Sequence, residues 1–190
     1  MFAGITINGT GGADTIYLTV SGTNLVVTNN SAVTNYVLAN VSDITINGGA
    51  GADDLEVSYQ IYAPCVIAGN AGDDVIFGGS GNDSLYGGDG RDAVHGKNGN
   101  DIVDSGNGDA NLVSLSYGEA GNDTIYGGNY DDKMYGGTGG DDLYGKAGTN
   151  TFCANDGDNN PDGAADHFFH WPNETYSYNY GTPGEDTFAV

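Results

Sequence analysis

Apolar residues recur every nine positions between residues 69 and 153, in a stretch that is otherwise glycine-rich and polar. Nine units of nine residues align there, and four residues, SLSY at 114–117, interrupt them. Three residues around each apolar position predict a short strand whose middle side chain points inward. The six residues before it predict a turn, because glycine reaches positive φ without steric cost. The inward residue, at position eight, is Ile76, Leu85, Val94, Val103, Leu112, Ile125, Met134, Leu143 or Phe152.

Position six of the unit carries the candidate chemistry. Its residues are Asp74, Asp83, Asp92, Asp101, Ala110, Asp123, Asp132, Asp141 and Asn150. Isolated copies of the pattern at 9–17 and 48–56 add Asp14 and Asp53. Two units form one flat coil, so alternate units share an edge. One edge then carries Asp83, Asp101, Asp123 and Asp141, and the other carries Asp74, Asp92, Ala110, Asp132 and Asn150.

These units, for example GGSGNDSLY at 78–86, resemble the RTX (repeats-in-toxin) nonapeptide repeat GGxGxDxUx, in which U is a large apolar residue. The resemblance implies an all-β fold, a right-handed parallel β-roll or β-solenoid with several calcium ions between stacked turns. Carboxylate and backbone carbonyl oxygens are the ligands that calcium prefers, and no Cys/His cluster favours zinc. The implied metal ligands are Asp14, Asp53, Asp74, Asp83, Asp92, Asp101, Asp123, Asp132, Asp141, Asn150, Asp158, Asp162 and Asp166.

In this resemblance an interior calcium site uses position six of two neighbouring turns on one edge. The sites with two aspartates are 83/101, 101/123, 123/141 and 74/92. The pairs 92/110, 110/132 and 132/150 are weaker, because Ala110 offers no ligand and Asn150 no charge. The isolated Asp14 is either a ligand or a turn residue that bonds its own backbone.

The flanks differ from the roll in composition. Residues 1–68 contain β-branched strands separated by Gly, Asn and Ser, which predicts wider β-solenoid coils that cap the roll at 69–153. Residues 154–190 form an acidic loop, which is either a further calcium loop or a solvated turn, and an aromatic tail. Cys65 and Cys153 lie about 22 Å apart along such a roll, too far for an internal disulfide.

Charge and motifs exclude several functions. The formal net charge is -22, with 4 Lys and Arg against 26 Asp and Glu. Nucleic acid is therefore not expected as a partner, because its binding requires cations that neutralise phosphates. No run approaches the roughly 18 apolar residues of a membrane span, so membrane insertion is not expected. The chain contains no HExxH or GxSxG motif, and we expect no enzymatic activity.

The resemblance implies a secreted, extracellular or cell-surface protein of a bacterium that folds on calcium after export. The terminal residues EDTFAV are similar to the export signal of RTX proteins secreted by type I systems. A structural role in a surface layer, matrix or filament, with homo-oligomeric or end-to-end assembly, is the leading hypothesis. The alternatives are a carbohydrate-binding module that uses exposed rings such as Tyr126 and Tyr144, and a secretion or folding module of a larger adhesin or enzyme.

Overall fold

The computed structural model describes residues 3–108, 112–153, 167–169, 175–179 and 187–189, with side chains up to residue 153. Its strands form one nine-stranded and one ten-stranded sheet, which we call sheet A and sheet B. The two sheets enclose a single apolar cluster. The fold is a parallel β-solenoid, as the sequence predicts. Within the described ranges, no helix is long and apolar enough to cross a membrane.

The first coils contain the longest of the described strands, at Val41–Ala50, and the only antiparallel pairs among them. The chain pairs β2 with β3 and β3 with β4 in antiparallel fashion, which extends sheet B beyond β2. A short 3-10 helix at Leu38–Asn40 then leads back to sheet A. The strands are β1 (Ala3–Asn8), β2 (Thr15–Ser21), β3 (Asn24–Asn29), β4 (Ala32–Val37), β5 (Val41–Ala50), β6 (Asp54–Val57) and β7 (Cys65–Ala71).

From β5 onward consecutive strands alternate between the sheets, and neighbours within a sheet are parallel. Odd-numbered strands belong to sheet A and even-numbered strands to sheet B. They are β8 (Val75–Phe77), β9 (Ser84–Asp89), β10 (Ala93–Asn98), β11 (Ile102–Asn107), β12 (Ser114–Ala120), β13 (Thr124–Tyr126), β14 (Asp132–Thr138), β15 (Asp142–Tyr144), β16 (Thr149–Cys153), β17 (His167–Phe169), β18 (Thr175–Asn179) and β19 (Thr187–Ala189).

The core becomes thinner along the axis. Each early strand of sheet A buries two apolar side chains, as Ile44 and Ile46 do in β5. In the coil of β9 an aspartate, Asp83, occupies the first of these two positions, directly before the strand. Asp83 and Leu85 are both buried there. Less apolar surface per coil means less hydrophobic stabilisation. The first coils are stabilised by their apolar core. The later coils have less of this core, so their stability depends more on the aspartate positions.

Eight of the nine predicted position-eight residues are fully buried, and the prediction for Leu112 is wrong. In sheet B, Val94 pairs with Ser116, and Ser116 pairs with Met134. The extra residues of the interrupted repeat therefore lie between β11 and β12, before Ser114, and SLSY itself is the strand. Ser116 is 1% exposed, and its hydroxyl has no hydrogen-bond partner.

The outward side chains at position nine stack along the axis. On sheet B, Phe77, His95, Tyr117 and Tyr135 form one column with ring centroids 4.4–4.6 Å apart. On sheet A, Tyr126 and Tyr144 stack at 4.9 Å, on one face as the sequence predicts. These contacts join neighbouring coils on the outside of the roll.

Replacing Ser116 with valine should stabilise the protein. The substitution removes a buried hydroxyl without a partner, which costs about 1–3 kcal/mol, and supplies the apolar side chain that neighbouring coils carry there. We expect the calcium-bound protein to unfold at a higher denaturant concentration. The control is Ser84→Val, which makes the same change at a half-buried, outward-facing position. An equal or smaller gain for Ser116→Val would contradict the register.

Candidate metal centre

Two columns of buried position-six residues line the edges of the roll. In the Asp83 column each backbone N–H donates to the Oδ1 of the next coil, from Asp83 to Asp101, Asp101 to Asp123 and Asp123 to Asp141, all at 2.8 Å. The Asp14 column repeats the arrangement over more coils. Its members in axial order are Asp14, Asp53, Asp74, Asp92, Ser114, Asp132 and Asn150.

One oxygen of most of these carboxylates has no protein partner. The Oδ1 atoms accept the ladder bonds, whereas the Oδ2 atoms of Asp53, Asp74, Asp92, Asp101 and Asp123 are buried and accept no hydrogen bond. The side chains are 1–2% exposed. A buried carboxylate is unstable unless it is paired with a cation or neutralised by a proton. These oxygens are therefore positioned to bind cations.

Backbone carbonyl oxygens lie beside the same carboxylates. A Cβ placed on Gly96 would lie 2.5 Å from the Asp101 Oδ2 and 2.7 Å from the Gly118 carbonyl oxygen of the next coil. At the position-four glycines Gly99 (φ 127) and Gly121 (φ 140), the carbonyl oxygen of the preceding turn lies where a Cβ would be placed. Both positions require glycine, since positive φ and close approach exclude a side chain. Because glycine has no side chain, carbonyl and carboxylate oxygens of neighbouring turns can lie close together here.

This donor set fits a hard divalent cation. Among the residues described, no three His, Cys, Asp or Glu side chains are close enough to hold a metal by themselves. The carbonyls of the glycine turns would therefore complete the ligand set around each aspartate pair, and oxygen-only coordination favours calcium. A bound calcium ion would supply the positive charge that the unpartnered Oδ2 atoms lack. The aspartate pairs predicted from the sequence, 83/101, 101/123, 123/141 and 74/92, are all neighbours in these columns.

The assignment of Ala110 to the Asp14 column is wrong. The Asp92 backbone N–H donates to the Ser114 Oγ at 3.3 Å, and Ser114 pairs with Asp132 in the next coil. Ala110 itself lies outside the described residues. The column is still interrupted at this coil, because serine brings one neutral oxygen instead of a carboxylate. Ser105, which the sequence analysis missed, donates from its hydroxyl to the Asp132 Oδ1 at 3.2 Å.

The two ends of the Asp14 column are satisfied by protein groups. Asp14 accepts hydrogen bonds from the Thr10 backbone and hydroxyl and from the Asn30 amide, the bonding of a turn residue. The Asn150 amide donates to the carbonyls of Gly145 (2.9 Å) and Ala147 (3.3 Å). The Asn150 amide N–H₂ thus hydrogen-bonds carbonyl oxygens of the last described turn. Asp53, Asp74 and Asp92, which lie between these ends, have no partner for Oδ2 and fit a cation better.

The remaining predicted ligands, Asp158, Asp162 and Asp166, lie outside the described residues. Cys65 and Cys153 are both buried, and neither forms a disulfide. Burial raises the pKa of both thiols. Cys65 occupies position six one coil before Asp83, and its backbone N–H donates to the Asp83 Oδ1 at 2.7 Å. The Asp83 column therefore begins where an apolar side chain gives way to a carboxylate.

Burial also raises the pKa of the column carboxyls, because desolvation disfavours their charged form. The pKa of Asp92, Asp101 and Asp123 rises to about 7, and that of Asp74 and Asp132 to about 6. Neighbouring column members add like-charge repulsion, as Asp83 does for Asp101. The pKa of Asp14 is instead lowered, chiefly by the hydrogen bond from Asn30. Protons and cations therefore compete for the same buried oxygens.

A parallel β-solenoid with carboxylates and glycine carbonyls lining its turns defines a class of cation-stabilised repeat proteins. The family model described as the RTX calcium-binding nonapeptide repeat (4 copies) matches residues 6–18, 45–57, 68–103, 78–111 and 117–152. These segments cover more than half of the sequence, and the chain belongs to this family of calcium-binding proteins. No curated protein and no solved structure matches it. Proteins with these repeats are typically bacterial and secreted.

Replacing Ser114 with aspartate should create additional or tighter calcium binding. The substitution gives both of its neighbours, Asp92 and Asp132, a second carboxylate on the same edge. Isothermal titration with calcium measures the number of ions and their affinity. Ser84→Asp, which makes the same change on the outward side of a strand, serves as the control. The column assignment fails if Ser114→Asp binds calcium no better than this control.

In the absence of calcium, the folded state should lose stability as pH rises from about 4 to about 7. Over this range the folded carboxyls retain protons that unfolded Asp, with a pKa of about 3.9, has released. Calcium should reverse the dependence, because it binds the ionised form. Circular dichroism in EDTA and in calcium, at pH 5 and pH 8, measures both trends. A calcium-free protein with more β structure at pH 8 than at pH 5 would contradict the burial of unpaired carboxylates.

Proposed function

We propose that this protein is a secreted structural component of a cell-surface layer, extracellular matrix or filament, and that its roll folds on calcium after export. The observation that carries the proposal is the two columns of buried carboxylates, in which the Oδ2 atoms of Asp53, Asp74, Asp92, Asp101 and Asp123 accept no hydrogen bond. Carboxylates stacked in this way repel one another in calcium-poor surroundings and are neutralised where calcium is abundant. For an extracellular module, dissociation constants of about 10⁻⁴–10⁻³ M suit this role.

The solenoid architecture supports a structural role. The described chain is built almost entirely from stacked coils. Among the described strands, β1 and β4 at one end of the sheets and β18 and β19 at the other have a strand neighbour on one side only. Open strand edges can pair with strands of another molecule. A repeat protein that presents such edges at both ends is suited to extended assembly.

The ring columns give the carbohydrate alternative little support. Sugars stack on the faces of aromatic rings, but the faces of Tyr117 and its neighbours are occupied by each other. At the ends of this column, Lys97 lies 4.6 Å from the Phe77 ring centroid and Lys133 lies 4.8 Å from that of Tyr135. These contacts are cation–π interactions. The columns are thus arranged to join coils rather than to present free ring faces.

Chelation tests the proposal. Dialysis against EDTA at neutral pH should abolish most of the β signal in circular dichroism, and calcium should restore it. Asp101→Asn removes a carboxylate shared by two sites and should raise the calcium midpoint at least about tenfold. The control Asp43→Asn makes the same charge change at an exposed residue of β5 and should leave the midpoint unchanged.

Electron microscopy of the same samples tests the structural role. Fibres or sheets in calcium that disappear on chelation would support it, whereas monodisperse rods would favour the secretion or folding module. A β signal and melting temperature unchanged by EDTA would refute calcium-dependent folding itself.

A further inference from the structure

We infer that the edge strand β4 is the docking site for a second copy of this chain, which pairs its own edge strand β18 with β4 in parallel. The joint would continue sheet B from one molecule into the next. This inference deepens the proposed structural role and rests on it. It is carried by the charge distribution, the direction of the strands and the exposure of β4.

Charge is absent from the chain segment that contains β4. Residues 15–42 contain no Asp, Glu, Lys, Arg or His, although the chain as a whole carries 26 acidic residues and a net charge of -22. Edge strands of soluble proteins are usually protected from pairing by charged side chains, proline or a covering segment. The β4 sequence, AVTNYV, has neither charge nor proline. Two copies of so acidic a chain can approach here without like charges in contact.

β4 also exposes apolar side chains beside its unpaired backbone. It pairs only with β3 and ends the strand order of sheet B. Val33 and Val37 are 60% and 52% exposed, whereas Tyr36, on the opposite face, packs against the core. A strand paired along this edge would bond the outward-facing N–H and C=O groups of β4. It would also cover part of the exposed valine surface.

The strand directions favour β18 as the partner. β3 is antiparallel to β2 and β4 is antiparallel to β3, so β4 runs in the same direction as β2. β2 is parallel to β6 and, through the successive pairs of sheet B, to β18 at the opposite edge. A head-to-tail contact therefore adds β18 to β4 in the parallel manner of every neighbouring pair in the roll. The β18 sequence, TYSYN, is uncharged as well.

The joint would involve one sheet only. β3 and β4 project beyond β2 by two strands, while sheet A ends at β1, in the same coil as β2. At a strand spacing of about 4.8 Å, β1 of one copy and β19 of the next would remain about 10 Å apart. A heterologous contact of this kind does not close, so it generates an open chain of molecules. Because only one strand pair forms at each joint, assembly should depend on protein concentration.

Sedimentation velocity and electron microscopy of calcium-loaded protein, over a range of concentrations, test the inference. Wild type should form growing linear species, and Val33→Lys/Val37→Lys should require at least about tenfold more protein to do so. The control Tyr62→Lys/Val66→Lys adds the same charge at exposed residues away from the edge and should assemble like wild type. Circular dichroism verifies that each variant remains folded in calcium.

Mixing experiments test the polarity of the joint. The β4 variant keeps its β18 edge, so it should add to one end of wild-type chains and shorten them. Closed dimers that do not grow would instead indicate twofold β4–β4 pairing and overturn the head-to-tail inference. A calcium-folded wild type that stays monomeric at all concentrations would overturn the joint but leave calcium-dependent folding intact. Filaments formed equally by the β4 variant would overturn the joint alone.

Discussion

The structure depends on the bond between a backbone N–H and the Oδ1 of the aspartate in the next coil. This bond sets the axial spacing of the turns and draws each carboxylate into the interior. At Asp53, Asp74, Asp92, Asp101 and Asp123 the second oxygen is thereby buried without a partner. Because a charged oxygen in such a place is costly, the same contact that orders the stack requires a cation or a proton. The proposed coupling of folding to calcium binding follows from this contact.

The two ends of the Asp14 column show how protein groups can replace the ion. Near the N-terminal end, Thr10 and Asn30 donate to Asp14, and at the last described turn the Asn150 amide bonds the carbonyls of Gly145 and Ala147. The Asp83 column begins in a different way. The buried Cys65 occupies the equivalent position one coil earlier, so an apolar side chain is followed by an acidic one. The molecule thus changes from hydrophobic to ionic stabilisation along its axis.

The sequence predicts most of this arrangement because a period of nine specifies which residues share an edge. The prediction fails at one repeat, because in SLSY the polar residues Ser114 and Ser116 face inward. The apolar Leu115 between them is only half-buried. The nine-residue period therefore predicts Leu112 at the core position that Ser116 occupies and Ala110 at the column position that Ser114 occupies. The antiparallel extension of β3 and β4 was also not predicted, because β-branched strands do not reveal whether they continue a coil or fold back on the sheet.

That extension gives the two ends of the solenoid different geometries. A solenoid that ended flush on both sheets would present equivalent edges, and stacking in either sheet would be equally possible. Here sheet B projects by two strands, and the core beneath it is closed by Leu25, Val27 and the partly buried Tyr36 and Leu38. The apolar interior is therefore covered while the backbone edge of β4 stays open. Covering the core therefore does not require covering the edge of β4. The folded molecule can thus retain a site for strand pairing.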